Sequence, residues 1–143
     1  MIKQFKDEYS WLSNFYLCLI KINSLIFPSV EHAYQSEKSQ ELSWKILCQN
    51  EDASIVKKKS RKLEINLKEW NKRKLKVMEE CINQKFDQEP FKSLLLQTGE
   101  EYIQEGNYWG DEYWGVNLKT GKGLNHLGKL IMKKRDKLND KLF

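Results

Sequence analysis

The stretch FPSVEHAYQSEK, Phe27 to Lys38, decides how this chain is read. Just upstream, CLIKIN (Cys18–Asn23) and SLIFPS (Ser24–Ser29) gather apolar and β-branched residues around Asn23-Ser24, a turn pair, so they predict a small hairpin. Ser29 then has the position and chemistry of a helix N-cap, with Pro28 just outside the helix. A helix from Val30 to about Gln40 is expected to follow. A strand thus gives way to a helix at one serine. The fold class that follows is α+β, mainly helical with a small antiparallel β-sheet.

Working outward, a second helix is expected from about Leu42 to Cys48. A third is expected in DASIVKKKSRK (Asp52–Lys62), with Asp52 as its cap. Asn66 to Lys85 carries the clearest helical period: Trp70, Val77 and Cys81 form one stripe, with Leu75, Met78, Ile82 and Phe86 beside it. Another helix is expected over Glu89–Gln97, stopped by Thr98-Gly99. EYIQEGNYWGDEYWGVN (Glu101–Asn117) is too rich in glycine and aromatics for a helix and reads as loop with short strands. Gly123 to Leu142 closes the chain as a helix, with Leu127, Leu130, Ile131 and Leu138 facing the core. No repeat or linker interrupts the pattern, so residues 1–143 are expected to form a single domain.

The composition is that of a globular protein: 40% hydrophobic and 31% charged residues over 143 positions. Charges begin at Lys3, which excludes a signal-peptide pattern, and FYLCLIKI (Phe15–Ile22) is too short and interrupted to span a bilayer. A soluble, cytoplasmic protein with no membrane partner is the expectation. Net charge is +5, with lysines clustered in VKKKSRK, KEWNKRKLK and GKLIMKKRDK, which favours anionic partners such as nucleotides, phosphates or nucleic acid. Cys18, Cys48 and Cys81 are widely spaced and form no CxxC pair, which argues against a disulfide framework or a zinc site. Each reads as a small buried hydrophobe, and no metal or cofactor is expected.

Four constellations carry chemistry. On a helix, Glu31, Tyr34 or Gln35, and Lys38 share one face, because positions three, four and seven apart superimpose. A carboxylate and an amine together can do acid–base or covalent work, although an ordinary surface ion pair uses the same residues. His32 faces away and reads as a packed or capping histidine. In YWGDEYWGVN (Tyr108–Asn117), two Trp-Gly pairs flank Asp111; this makes either a platform for a flat base or a set of core plugs at a turn. GKGLNHLG (Gly121–Gly128) places glycines before a helix, as a phosphate cradle does, but lacks the spacing of a P-loop. SNF (Ser13–Phe15) offers an asparagine that either binds a ligand or caps its own turn.

In order and spacing, WLSNFY, FPSVEHAYQSEK, EW with Arg73 and VM, QKFDQ, LLLQTG, IQEG, DEYWG and GLNHLG with Arg135 resemble the NADAR, or YbiA-like, family. The resemblance runs from Phe5 to about Leu138. It implies a mostly helical fold with a small sheet and an N-glycosidase activity on nucleotide-like substrates, with no metal and no cofactor. Two substrate classes are implied: ADP-ribose joined through an N-glycosidic bond, notably to guanine in nucleic acid, and phosphorylated ribosylamino-pyrimidine intermediates of riboflavin synthesis. Residue by residue, Glu31 matches an acidic active-site position and Lys38 a catalytic lysine. Trp70 matches a site-lining tryptophan, and Glu105 and Asp111 match the acidic positions before Trp114-Gly115. Asn14 of SNF, and Asn125 with Gly128, match binding-loop positions, Phe15 and Tyr34 are expected to bind substrate beside them, and Arg135 matches the arginine of the closing helix. Two departures stand out: Ser60-Arg61 replaces a Gly-Arg pair before the long helix, and Trp109-Gly110 is an additional Trp-Gly pair.

Breaking an N-glycosidic bond builds positive charge at C1′ and negative charge on the leaving base. The resemblance implies that Lys38 attacks C1′ with ring opening to an imine while Glu31 shuttles protons. Alternatively, a protonated Lys38 neutralises the leaving group while Glu31 and water do the hydrolysis. Asp111 would orient ribose hydroxyls, Trp70 and Trp114 would sandwich the base, and Arg61 and Arg135 would bind phosphate. The basic balance tilts the substrate toward ADP-ribosylated nucleic acid. The rival class is a non-catalytic ADP-ribose or nucleotide-binding module, and a third reading is a sequence-independent nucleic-acid binder.

Overall fold

The computed structural model describes residues 1–141, and these divide into two compact units: Asn14–Lys85, and Met1–Ser13 together with the chain from Phe86 onward. The first unit opens with the hairpin β1 (Ile20–Ile22) and β2 (Leu25–Phe27), antiparallel with Ile20 opposite Phe27 and Ile22 opposite Leu25. Its two-residue turn needs positive φ at both positions, and Asn23 (φ 49°) and Ser24 (φ 75°) supply it. Ile20 and Phe27 are buried while Lys21 and Ile26 point outward, the period of a half-buried strand.

Helix α1 (Val30–Ser36) follows, and every residue of it is buried. Ser29 is its N-cap: the hydroxyl accepts the His32 N–H at 3.2 Å. His32 Nε2 donates to the Glu51 carbonyl at 2.8 Å, so its Nδ1 accepts the Ser29 hydroxyl at 2.5 Å, and the imidazole is a capping group as expected. The helix is shorter than expected. Glu37 is its C-cap and Lys38 lies just past it. Side chains satisfy the last carbonyls: Trp44 Nε1 donates to Gln35 O at 2.9 Å and Lys45 Nζ to Ser36 O at 3.0 Å. Around α1 pack α2 (Leu42–Asn50), α3 (Ala53–Ser60) and the hairpin. Asp52 stands at the α3 N-cap position but makes no side-chain cap bond.

The long helix α4 (Leu67–Phe86) buries Trp70, Val77, Met78, Cys81 and Ile82 in stripe order. Leu75, expected in the core, is 37% exposed, because the stripe needs only one face of the helix. Gln84 brackets β1 like an extra strand residue, accepting Lys21 N–H at 2.8 Å and donating to Lys21 O at 2.7 Å. Burial drives the Cys48 thiol up to about 12 and raises Cys81 as well, in line with small hydrophobes rather than reactive thiols.

The second unit has a 3₁₀ turn (Asp7–Leu12), α5 (Phe91–Gln97), the short parallel pair β3 (Gly106–Asn107) and β4 (Val116–Asn117), and α6 (His126–Asp140). Trp11 meets Phe86 edge-on at 6.4 Å, and Phe86 meets Phe91 at 6.4 Å. Leu95, Ile103, Ile131 and Leu138 are buried with them. Leu130, expected to face the core, is only half-buried. The expected end of the last helix at Leu142 lies outside the described residues. The chain is thus a mainly helical α+β protein with a small antiparallel sheet. Among the described residues, no helix is long and apolar enough to cross a membrane.

Candidate active site

In the first unit, the buried helix α1 sets the chemistry. Glu31 is 6% exposed; its N–H donates to Asn14 O at 3.0 Å, and Gln35, one turn later, donates Nε2–H to its Oε1 at 2.8 Å. Burial raises the Glu31 carboxyl above the usual glutamate range, against the opposing pull of the Gln35 bond and of the Lys57 and Lys38 charges. Lys38 leaves the helix end and turns into a cage: its Nζ is 3.4 Å from Ser60 Oγ and 5.9 Å from the centres of both the Tyr34 and Trp70 rings. Those rings are 5.3 Å apart. Desolvation lowers the Lys38 pKa; Glu31 opposes this, and the charges of Arg61, Lys57 and Lys74 reinforce it. An acid pushed up and an amine pushed down, coupled to each other, are the perturbations that acid–base and nucleophilic sites use.

Tyr34, Lys38, Ser60, Arg61, Trp70 and Lys74 line an open cavity of about 790 Å³. That volume suits a nucleotide-sized ligand. Trp70 also carries Arg73: the guanidinium lies 5.7 Å from its ring centre and donates to Glu37 Oε2 at 3.1 Å. The buried Glu37 carboxylate also faces Lys45 Nζ at 3.9 Å. The sequence reading overlooked Glu37 and Lys74. The signal for Lys74 was present, since it stands one turn after Trp70 on the same helix face.

The structure therefore brings Tyr34, Lys38, Arg61 and Trp70 together around the cavity, while Glu31 is buried on α1 within electrostatic reach of Lys38. Asn14 joins them through its backbone bond to Glu31; its side chain is buried, with Nδ2 3.5 Å from Met78 Sδ and Oδ1 without a partner. Phe15 is exposed, with Lys57 Nζ 5.7 Å from its ring centre.

The remaining expected residues lie in the second unit. Asp111 Oδ1 accepts the N–H groups of Tyr113 at 3.0 Å and Trp114 at 2.9 Å, which shapes the turn that carries Trp114. Asn107 clasps the same loop, donating to Asp111 O at 2.9 Å and accepting its N–H at 3.0 Å. Glu105 Oε2 accepts from Asn107 Nδ2 at 3.0 Å. Gly115 leaves no room for a Cβ against the Glu105 carbonyl and carboxylate. Asn125, in the left-handed region, accepts Glu105 N–H at 3.0 Å and donates to Ile103 O at 2.9 Å. Arg135 is buried and donates to Thr98 Oγ1 at 2.9 Å and Glu101 O at 2.8 Å. Among the described residues, no group of three His, Cys, Asp or Glu side chains is arranged to hold a metal ion.

Comparison with known proteins gives a consistent picture. The chain is 30% identical over 138 residues to the N-glycosidase YbiA of Escherichia coli (strain K12), covering 92% of this chain and 83% of that protein. It is 32% identical over 138 residues to a riboflavin biosynthesis protein of Vibrio vulnificus (strain YJ016); this covers 94% of the chain but only 37% of that longer relative. The NMR structure of E. coli YbiA matches with a TM-score of 0.82 at 27% identity, covering 99% of this chain and 88% of that one. The family model described as the NADAR domain matches residues 2–139, across both units and through every element just described. The chain belongs to the NADAR domain family.

Proposed function

We propose that the chain is an N-glycosidase that hydrolyses the bond between ribose and a base in a nucleotide-like substrate. The observation that carries this is the oppositely perturbed pair, Glu31 raised and Lys38 lowered, beside an aromatic cavity of about 790 Å³. The N-glycosidase name of the E. coli relative supports it.

In this reading the neutral Lys38 amine attacks C1′ as the C1′–N bond breaks. Glu31, whose carboxyl burial raises, gives its proton to the departing nitrogen. The Lys38 adduct then loses a proton to the Glu31 carboxylate, which passes it to the ring oxygen as the ring opens to an imine. Water hydrolyses the imine and restores the amine. Tyr34 and Trp70 form the wall on which the base lies, where stacking is worth about 1–3 kcal/mol. Asn14 supports the site through its backbone bond to Glu31. In the second unit, Asp111, Glu105 and Asn125 act as positioning residues for the loop of Trp114 and Gly115, and Arg135 anchors that unit.

The first substrate reading is removal of ADP-ribose from guanine in nucleic acid, supported by the net charge of +5 and the cations around the cavity. The name of the Vibrio relative supports a second, a phosphorylated ribosylamino-pyrimidine of riboflavin synthesis. Mass spectrometry of products from a guanine-ADP-ribosylated oligonucleotide and from the pyrimidine, side by side, tests both. Release of ADP-ribose is expected under the first reading and of free pyrimidine under the second. Tight ADP-ribose binding with no product from either substrate would identify a binding module instead.

A further inference from the structure

We propose that Gln35 is a positioning residue for Glu31: its side-chain amide pairs with the protonated carboxyl through two hydrogen bonds, Nε2–H to Glu31 Oε1 and Glu31 Oε2–H to Gln35 Oε1. This deepens the reading above and rests on it only for the use made of that proton. Glu31 and Gln35 stand one turn apart on α1, whose residues are all buried. The first of the two bonds is in place, at 2.8 Å. The Gln35 main chain is held as well, because its carbonyl accepts Trp44 Nε1–H at 2.9 Å. Gln35 is 4% exposed, yet its Oε1 has no hydrogen-bond partner among the described residues.

A buried amide oxygen without a donor is costly, and such groups are rare in folded chains. A primary amide offers one donor and one acceptor side by side. A carboxylic acid offers the same two in reverse, whereas a carboxylate offers acceptors alone. The amide of Gln35 is therefore matched fully by the acid form of Glu31 and only by half in the ionised form. Protonation supplies the second donor, and rotation of the soft terminal torsions of the two side chains closes the second bond. Neighbouring groups are engaged elsewhere. Lys38 Nζ lies 3.4 Å from Ser60 Oγ, Lys57 Nζ of α3 lies 5.7 Å from the Phe15 ring centre, and the His32 nitrogens bond to Ser29 and Glu51. Lys45 of α2 donates to Ser36 O, Lys21 of β1 is exposed, and burial raises the Cys81 thiol of α4. Burial and the second bond favour the proton on Glu31, while Gln35 Nε2–H and the Lys57, Lys38 and His32 charges oppose it. Gln35 thus fixes Oε2 as the oxygen that carries the proton and holds the plane of the acid.

The test is an NMR titration of the full chain carrying ¹³C at the side-chain carboxyl and amide carbons, with crystal structures on either side of the Glu31 midpoint. On acidification the Gln35 Cδ signal should move downfield, as its oxygen gains a hydrogen bond, with the same midpoint as Glu31 Cδ. Below that midpoint Glu31 Oε2 and Gln35 Oε1 should close to about 2.7 Å. A Gln35 signal that moves upfield or ignores the Glu31 midpoint, or oxygens that stay beyond about 3.5 Å below it, would overturn the pairing. In Gln35→Met, kcat for base release should fall about tenfold, the worth of one hydrogen bond, with KM changed by less than about threefold. An unchanged kcat would overturn the positioning role. The titration and the two structures need no turnover, so a wild type that releases no base removes the hydrolase reading and leaves the pairing to be decided by them. They also decide it alone if Gln35→Met does not fold.

Discussion

Lys38 Nζ stands 5.9 Å from the centre of the Trp70 ring, with the same separation from Tyr34, and all three side chains line one open cavity. An ammonium in such a cage has exchanged water for two aromatic faces and one hydroxyl. The aromatic faces favour the charged form, yet desolvation wins and the pKa falls. Under the proposed function, that burial prepares the amine to act as a nucleophile.

The first prediction follows from that state. Borohydride added during turnover should reduce the imine and fix the sugar to the protein, giving one adduct by intact mass that peptide mapping places on Lys38. Lys38→Met should give no adduct and lose roughly 10²-fold or more in turnover. Full activity without any adduct would instead assign Lys38 an electrostatic role.

Glu31 predicts a conflict between stability and activity. Its carboxyl is raised in the folded state, so the folded protein holds this proton more tightly than the unfolded chain does. The benefit is complete below the ordinary glutamate pKa and is lost as pH rises through the raised value. Glu31→Gln should therefore raise Tm at neutral pH, by about 2–4 °C for each kcal/mol relieved, and give little gain at pH 4. The same variant should lose roughly 10²–10⁴-fold in turnover. Thermal unfolding at both pH values, with rates on the same samples, checks both.

Glu37 predicts a positioning effect. Its carboxylate holds Arg73, and Arg73 lies over Trp70. Glu37→Gln leaves Lys45 and Arg73 with a weaker partner and should cost about 1–3 kcal/mol, less than a fully buried pair because Arg73 is 43% exposed. Steady-state kinetics should show KM rising more than kcat falls, since the loosened residue is the aromatic wall.

Gly115 predicts a steric limit in the second unit. A methyl group there meets both the carbonyl and the carboxylate of Glu105. Gly115→Ala should cost roughly 1–3 kcal/mol, read as a lower urea midpoint with an unchanged m-value.

The sequence was most legible where structure is local. The Asn23-Ser24 turn, the Ser29 cap and the His32 contact with it depend on residues a few positions apart, and each was readable from its own neighbourhood. The end of α1 was not. Trp44 and Lys45 cap its carbonyls from another helix, so the helix stops at Ser36 rather than near Gln40. Glu37 looked like one more charge on a helix face, and only packing brings Arg73 and Lys45 to it. Lys74 was hidden among the lysines of KEWNKRKLK, where a solvated face accounts for most of the charge. Leu75 read as core from its spacing, yet the stripe through Trp70, Val77 and Cys81 already fills the buried face.

The most direct test of the central claim measures base release and substrate affinity on the same preparations of wild type, Glu31→Gln and Lys38→Ala. Wild type should release free base steadily. Both variants should keep affinity within about tenfold, because the aromatic wall of Tyr34 and Trp70 remains, while release falls by roughly 10²-fold or more. Near wild-type release in both variants would contradict the assignment of Glu31 and Lys38 as the reacting pair.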